Sequence, residues 1–128
     1  MKPVLYGSLW LAAGIVAGAA AVETIHAQAG APVYQISLQN VTNQDVFSKE
    51  FVPAARASIK QYGGQVLAGS KPIAIEGAPS VTRVVVNRWD SLDQLKKWHA
   101  SPEYKKARQI GDKAGKYQIF AVEGVAAQ

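Results

Sequence analysis

Trp89-Asp90-Ser91-Leu92-Asp93-Gln94-Leu95-Lys96-Lys97-Trp98-His99-Ala100-Ser101-Pro102-Glu103-Tyr104 compresses a strand end, a capped amphipathic helix and the start of a second helix into one run. Ser91 is placed to accept from the free N–H groups of a first helical turn, and Gln94 three residues on completes a capping box. Leu92, Leu95 and Trp98 recur at helical spacing and form the stripe that this helix buries. Ser101-Pro102-Glu103 repeats the pattern, a cap residue followed by proline at the first helical position, where its missing N–H costs nothing. That second segment is expected to run to about Ile110.

Working outward, Val81 to Trp89 is rich in β-branched residues and reads as the strongest strand, introduced by a turn at Pro79-Ser80. Downstream, Gly111 and Gly115 release the chain into a last strand, Tyr117 to Glu123, with Gly124 to Gln128 a frayed tail. Val33 to Gln39 alternates, with Tyr34, Ile36 and Leu38 on one face and Val33, Gln35 and Ser37 on the other. From Val46 to Tyr62 the apolar residues keep helical spacing, and Pro53 either divides that helix or opens its second piece. Gly63-Gly64 stops it, read as paired glycines supplying the positive φ of a C-terminal cap. Gln65 to Ala68 is a short strand, with Ile73 to Glu76 as an extended continuation after Gly69-Ser70.

The resulting order, β-α-β-β-α-β, is a ferredoxin-like α+β arrangement: an antiparallel sheet with helices on one face. The other sheet face is expected to present Gln35, Ser37, Arg83, Asn87, Trp89 and Tyr117, with Val85, Ile119 and Ala121 between them. Such a face is too apolar for water and too polar for a core, so a homodimer with two sheets face to face is the expected assembly.

Ahead of this domain, Met1-Lys2 precedes an apolar run from Val4 to Val22, and Ala27-Gln28-Ala29 supplies the small-x-small pattern of a signal-peptidase site. The expected division is a secretory signal over residues 1–29 and one ferredoxin-like α+β domain over 30–128, the alternative being an uncleaved anchor of near membrane-spanning length. There is no twin-arginine motif, and the absence of cysteine rules out a disulfide or a lipidated N-terminus. A periplasmic or secreted address follows, with no stable membrane association once the signal is cut. The formal charge of +5 survives processing, because Lys2 and Glu23 leave together. That balance could suit nucleic acid. Export argues against it, the chain lacks an RNP-type strand motif, and Lys96, Lys97, Lys105, Lys106 and Arg108 read as a solvated helical face.

Tyr62-Gly63-Gly64, Arg83-Val84-Val85-Val86, the Ser91-Leu92 helix start, Trp98, Ser101-Pro102-Glu103-Tyr104 and Phe120-Ala121-Val122-Glu123-Gly124 together resemble the domain of unknown function 1330 family. The resemblance spans nearly the whole mature domain and is most specific at Trp-x-x-Ser-Pro-Glu-Tyr. It implies the dimeric α+β barrel superfamily, which also holds small monooxygenases, muconolactone isomerases and haem-degrading enzymes. It implies a dimer too, but no reaction, since the family has none established. One departure stands out: members often carry a basic residue and glycines after the second strand, where this chain reads Leu67-Ala68-Gly69-Ser70-Lys71, leaving Lys71 as the nearest replacement.

The chemistry is sparse. There is no phosphate loop, nucleophile elbow, Cys/His pair or dinucleotide fingerprint. His99, the only histidine after processing, could act as a general base with Glu103 one turn on as its partner, or simply sit at the helix C-terminus. One histidine and no cysteine give poor metal-ligand spacing, and a helix-end position disfavours His99 as a haem ligand. No cofactor is expected. Arg83 and Arg88 fall on opposite strand faces, and Arg83 could hold a carboxylate ligand or pair with a protein acid. Tyr34, Trp89, Trp98, Tyr104 and Tyr117 could wall a pocket for a flat organic ligand or form plain core. Two functions are therefore expected in this order: binding of a small organic molecule, and a cofactor-independent monooxygenase- or isomerase-like activity using His99 or a tyrosine.

Overall fold

A computed structural model describes residues 31–126, and the signal expected over residues 1–29 lies outside the described residues. Strands β1 (Val33–Val41), β2 (Gln65–Ser70), β3 (Arg83–Trp89) and β4 (Gly115–Glu123) form one antiparallel sheet in the order β2-β3-β1-β4. Helix α1 (Val52–Gln61) is entered through a short helical turn, Gln44–Val46, and a π-helical segment, Phe47–Phe51. Helix α2 spans Leu92–His99 and α3 spans Pro102–Asp112. With β3 inserted between β1 and β2, this is the ferredoxin-like split β-α-β topology expected from the sequence.

Pro53 opens the second piece of its helix. It has no N–H, and its ring would collide with the carbonyl four residues back in a regular helix, so the preceding turn widens. The Val52 N–H accordingly reaches back to the Phe47 carbonyl, a π-helical bond. The widened turn leaves both Phe47 and Phe51 buried, with ring centroids 5.5 Å apart.

The two glycines after α1 serve different ends. Gly63 has φ +83, the left-handed cap that was expected. Gly64 does not need positive φ; a Cβ there would lie 2.6 Å from Trp89 Cη2 and 2.8 Å from Ile59 Cγ2, so its role is close approach. Ser91 caps α2 by accepting from the Gln94 N–H at 3.1 Å. The box closes one residue early, because Gln94 Oε1 accepts from the Asp90 N–H at 3.0 Å, while Gln94 Nε2 donates to the Tyr62 carbonyl at 2.8 Å. Ser101 caps α3 through the Tyr104 N–H.

Two expectations fail. Ile73 to Glu76 is not a strand: β2 ends at Ser70, just before Pro72, which has no N–H for a ladder. More consequentially, the sheet faces are reversed. Gln35, Ser37 and Gln39 are buried beneath the helices, together with Asn87 and Trp89. The open face carries Tyr34, Ile36 and Leu38, which lie opposite Val84 and Val86 on β3 and Phe120 and Val122 on β4. The usual rule of apolar in and polar out is overturned because the buried polar side chains bond one another: Trp89 Nε1 and Asn87 Nδ2 both donate to Gln35 Oε1, at 2.9 and 3.2 Å, and Gln39 Nε2 donates to Ser37 Oγ at 3.2 Å.

The core lies in two clusters. One gathers Val33, Ile59, Trp89, Leu95, Trp98 and Tyr104. The other holds Phe47, Phe51, Ala107 and Ala114. β2 forms one sheet edge, and its pairing with β3 slips between Val66 and Ala68. Among the described residues no helix is long and apolar enough to cross a membrane.

Because Gly64 lies against the Trp89 ring, Gly64→Ala is expected to destabilise the domain by about 1–3 kcal/mol through overpacking. Urea denaturation of the two proteins measures it; an unchanged midpoint would mean that the ring moves aside without cost.

Candidate functional site

A cavity of about 60 Å³ lies between the polar sheet face and the helices. β1 and β3 give it a floor of Gln35, Ser37, Gln39, Arg83 and Asn87, and the widened helical turn gives it an aromatic wall of Phe47 and Phe51. Trp98, Tyr104 and Tyr117 add to the lining from the helices and β4.

The floor has a fixed polarity. The Trp89 indole can only donate, so Gln35 must turn its oxygen toward it. That oxygen also receives the Asn87 amide nitrogen, which leaves Asn87 Oδ1 pointing elsewhere. Asn87 Oδ1, Gln39 Oε1 and Arg83 Nε are all buried without a hydrogen-bond partner, and all three residues line the cavity. Among the lining residues Arg56 and Arg83 are cationic, and no aspartate, glutamate or histidine joins them.

The expected site residues divide. Arg83, Trp98, Tyr104 and Tyr117 line the cavity together. Trp89 is fully buried behind it and orients its floor through Gln35. Tyr34 is on the opposite sheet face, and Arg83 is beneath the helices instead of in the expected dimer seam. Arg88, on the other face, pairs with Asp90 at 2.8 Å.

His99 and Glu103 do not form the expected acid/base pair. His99 is exposed, away from the cavity lining, with its ring 5.4 Å from that of Tyr104. The Glu103 carboxylate instead accepts from the Tyr62 hydroxyl at 2.9 Å and from Gln61 at 3.2 Å, tying the end of α1 to the start of α3. Glu103's own backbone N–H, followed by the Tyr62 hydroxyl, holds its pKa below the ordinary value. The same bond raises Tyr62. Tyr117 donates to the Gly111 carbonyl at 2.8 Å, and burial pushes its pKa up to about 12, so its phenol is committed and protonated near neutrality. Trp98 Nε1 is likewise committed, donating to Ser58 Oγ at 2.9 Å.

Lys71 is exposed and does not line the cavity; its place as the basic wall group is taken by Arg56 and Arg83. Sequence reasoning missed the floor residues Gln35, Ser37, Gln39 and Asn87 as site members, and with them Phe47, Phe51 and Arg56 of the walls. The alternation Gln35-x-Ser37-x-Gln39 marks three of them as sharing one strand face without saying which way that face turns.

Removing the Tyr62 hydroxyl by Tyr62→Phe is expected to raise the Glu103 pKa toward the ordinary glutamate value, as read from carboxyl carbon shifts in an NMR titration. Because the native pKa is depressed, this tie contributes fully above the unfolded carboxylate pKa and fades as pH falls through the folded one. An unmoved Glu103 titration would assign the depression to the backbone N–H and Gln61 instead.

Several solved structures share the fold. A protein of unknown function from Rhodopseudomonas palustris is 11% identical, with a TM-score of 0.62 over 81% of this chain and 94% of that one. SnoaB, a cofactor-independent oxygenase from Streptomyces nogalater, is 12% identical, with a TM-score of 0.57 over 77% of this chain and 96% of that one. A protein of unknown function from Bacteroides thetaiotaomicron is 10% identical, with a TM-score of 0.53 over 74% and 99%. At such identities they establish the ferredoxin-like α+β barrel fold and nothing finer. No curated relative matches the chain. The domain of unknown function DUF1330 matches residues 32–125, and the chain belongs to that family.

Proposed function

We propose that this protein is an exported homodimeric α+β barrel that binds a small organic molecule in the cavity between its sheet and its helices. The observation that carries the reading is a trio of buried, unpartnered polar atoms in residues that line the cavity: Gln39 Oε1, Arg83 Nε and Asn87 Oδ1. Each such group costs about 1–3 kcal/mol when left unpaired, and a ligand bearing complementary groups recovers that energy.

The dimer is supported by the open sheet face, the reverse of the one first expected. Phe120 and Val122 are 47% and 52% exposed there, beside Ile36, Leu38, Val84 and Val86. An apolar patch of this kind calls for a covering surface, and a second copy of the same face is self-complementary in character. Ile73 and Ile75, at 82% and 93% exposure on the β2–β3 connection, add further apolar surface. Export rests on the Val4 to Val22 run and the Ala27-Gln28-Ala29 site.

The alternative, a cofactor-independent oxygenase- or isomerase-like enzyme, draws on the fold shared with SnoaB. It is weaker here because His99 is outside the cavity lining and the Tyr117 hydroxyl is bonded to Gly111, which leaves Tyr104, whose hydroxyl accepts from Arg108, as the tyrosine it would use.

Native mass spectrometry of the exported protein is expected to show a dimer of chains beginning at Gly30 and carrying the extra mass of a small molecule. An empty protein that takes up no small molecule would overturn the binding reading. Placing a charge on the open face by Phe120→Glu is expected to yield a monomer in sedimentation with an unchanged far-ultraviolet spectrum; a persistent dimer would move the interface off that face.

A further inference from the structure

Resting on the cavity-binding reading, we propose that the ligand is a short hydroxy-carboxylate whose carboxylate is held by Arg83 and whose hydroxyl is donated to Gln39. The sign of the charge comes first. Two arginines and no acidic side chain line the cavity, so it favours an anion and repels an amine. The ion pairs among the described residues are Lys49–Asp45, Arg88–Asp90 and Arg108–Asp112, and none engages Arg83.

Arg83 is nevertheless held in place. Its guanidinium carbon sits 5.8 Å from the centroid of the Phe47 ring, and on the neighbouring strand a Cβ at Gly69 would fall 2.7 Å from Nη2. The missing side chain at Gly69 thus leaves room for the guanidinium. Nε and Nη2 share one edge of that group, the fork that matches two carboxylate oxygens.

The hydroxyl follows from the neighbour. Gln39 lies directly opposite Arg83 in the β1–β3 register, at a cross-strand Cβ separation of about 5 Å. Gln39 is 6% exposed; its nitrogen goes to Ser37 and its oxygen has no partner. With the amide in this orientation, a group next to the bound carboxylate donates to it. An ammonium would donate as well, but no acidic side chain lines the cavity to pair with it, so the neutral donor, a hydroxyl, fits better. Asn87 Oδ1, four residues and about 13 Å along the strand, lies beyond the reach of so short a ligand. Size is compatible: the inner 60 Å³ is well below the roughly 150 Å³ of a cavity that admits benzene, and the cavity opens to solvent on one side.

Four small probes test this by NMR on the isotope-labelled mature protein: lactate, propionate, propylene glycol and inorganic phosphate. Lactate is expected to shift cavity-lining resonances saturably. Propionate, lacking the hydroxyl, and propylene glycol, lacking the carboxylate, are each expected to bind at least tenfold more weakly. Arg83→Met is expected to remove the preference for lactate over propylene glycol. Gly69→Ala, on an exposed edge strand, is expected to weaken lactate severalfold by displacing the guanidinium without unfolding the sheet. Propylene glycol or propionate equal to lactate, or lactate affinity unchanged in Arg83→Met, overturns the hydroxy-carboxylate while leaving the cavity a binding site. Phosphate equal to lactate overturns it in favour of a tetrahedral anion. If no probe shifts the cavity but the exported protein retains a small molecule, the proposed class is wrong and the binding site stands. If neither is seen, both readings fall.

Discussion

The hydrogen bond from the Trp89 indole to Gln35 Oε1 orders much of the rest. It lets a large aromatic ring and a glutamine share the dry side of the sheet, where an unpartnered indole N–H would be costly. The ring packs against the Gly64 backbone on one side and within 5.2 Å of the Trp98 ring, so the same residue that sets an amide's orientation also sets how closely α1 and α2 approach the sheet. Trp98 in turn bonds Ser58 on α1. Hydrophobic packing and polar direction are in this way specified together.

The polar floor changes the meaning of an ordinary strand pattern. A half-buried strand normally turns its apolar side to the core. Here the polar side is inward because its members bond among themselves and surround a cavity, while the apolar side is left for another surface. The widened turn before Pro53 belongs to the same design: it brings Phe47 and Phe51 over that floor, and Phe51 rests where a Cβ on Gly111 would come within 2.6 Å of its ring. The cavity is therefore bounded by a proline constraint on one side and a glycine contact on the other.

Most of the architecture was legible in the chain. Ser91 and Ser101 announce their helices, Val81 to Trp89 announces its strand, and the order of elements is enough to imply the split β-α-β topology. The face of the sheet was not legible, because Tyr34-Ile36-Leu38 and Gln35-Ser37-Gln39 are both regular alternations, and only the long-range bonds from Trp89 and Asn87 decide which turns inward. The aromatic lining was partly legible: Trp98, Tyr104 and Tyr117 line the cavity, whereas Tyr34 has the wrong strand parity. The acid/base pair was misread because one turn of sequence separation says nothing of competing partners, and Tyr62, far off in sequence, reaches Glu103 instead. Arg83 was visible as a candidate, but its lack of an acidic neighbour emerges only in three dimensions.

The slip in pairing between Val66 and Ala68 gives β2 an irregular outer edge. A straight exposed strand is a template on which another chain can continue the ladder, and repetition of that step leads to fibres. A bulged edge presents its free N–H and C=O groups out of line, so an incoming strand cannot match them over more than a few residues. This chain therefore leaves large apolar area exposed on its flat face while blunting the side from which growth could propagate without limit. It can be sticky in one direction and finite in the other.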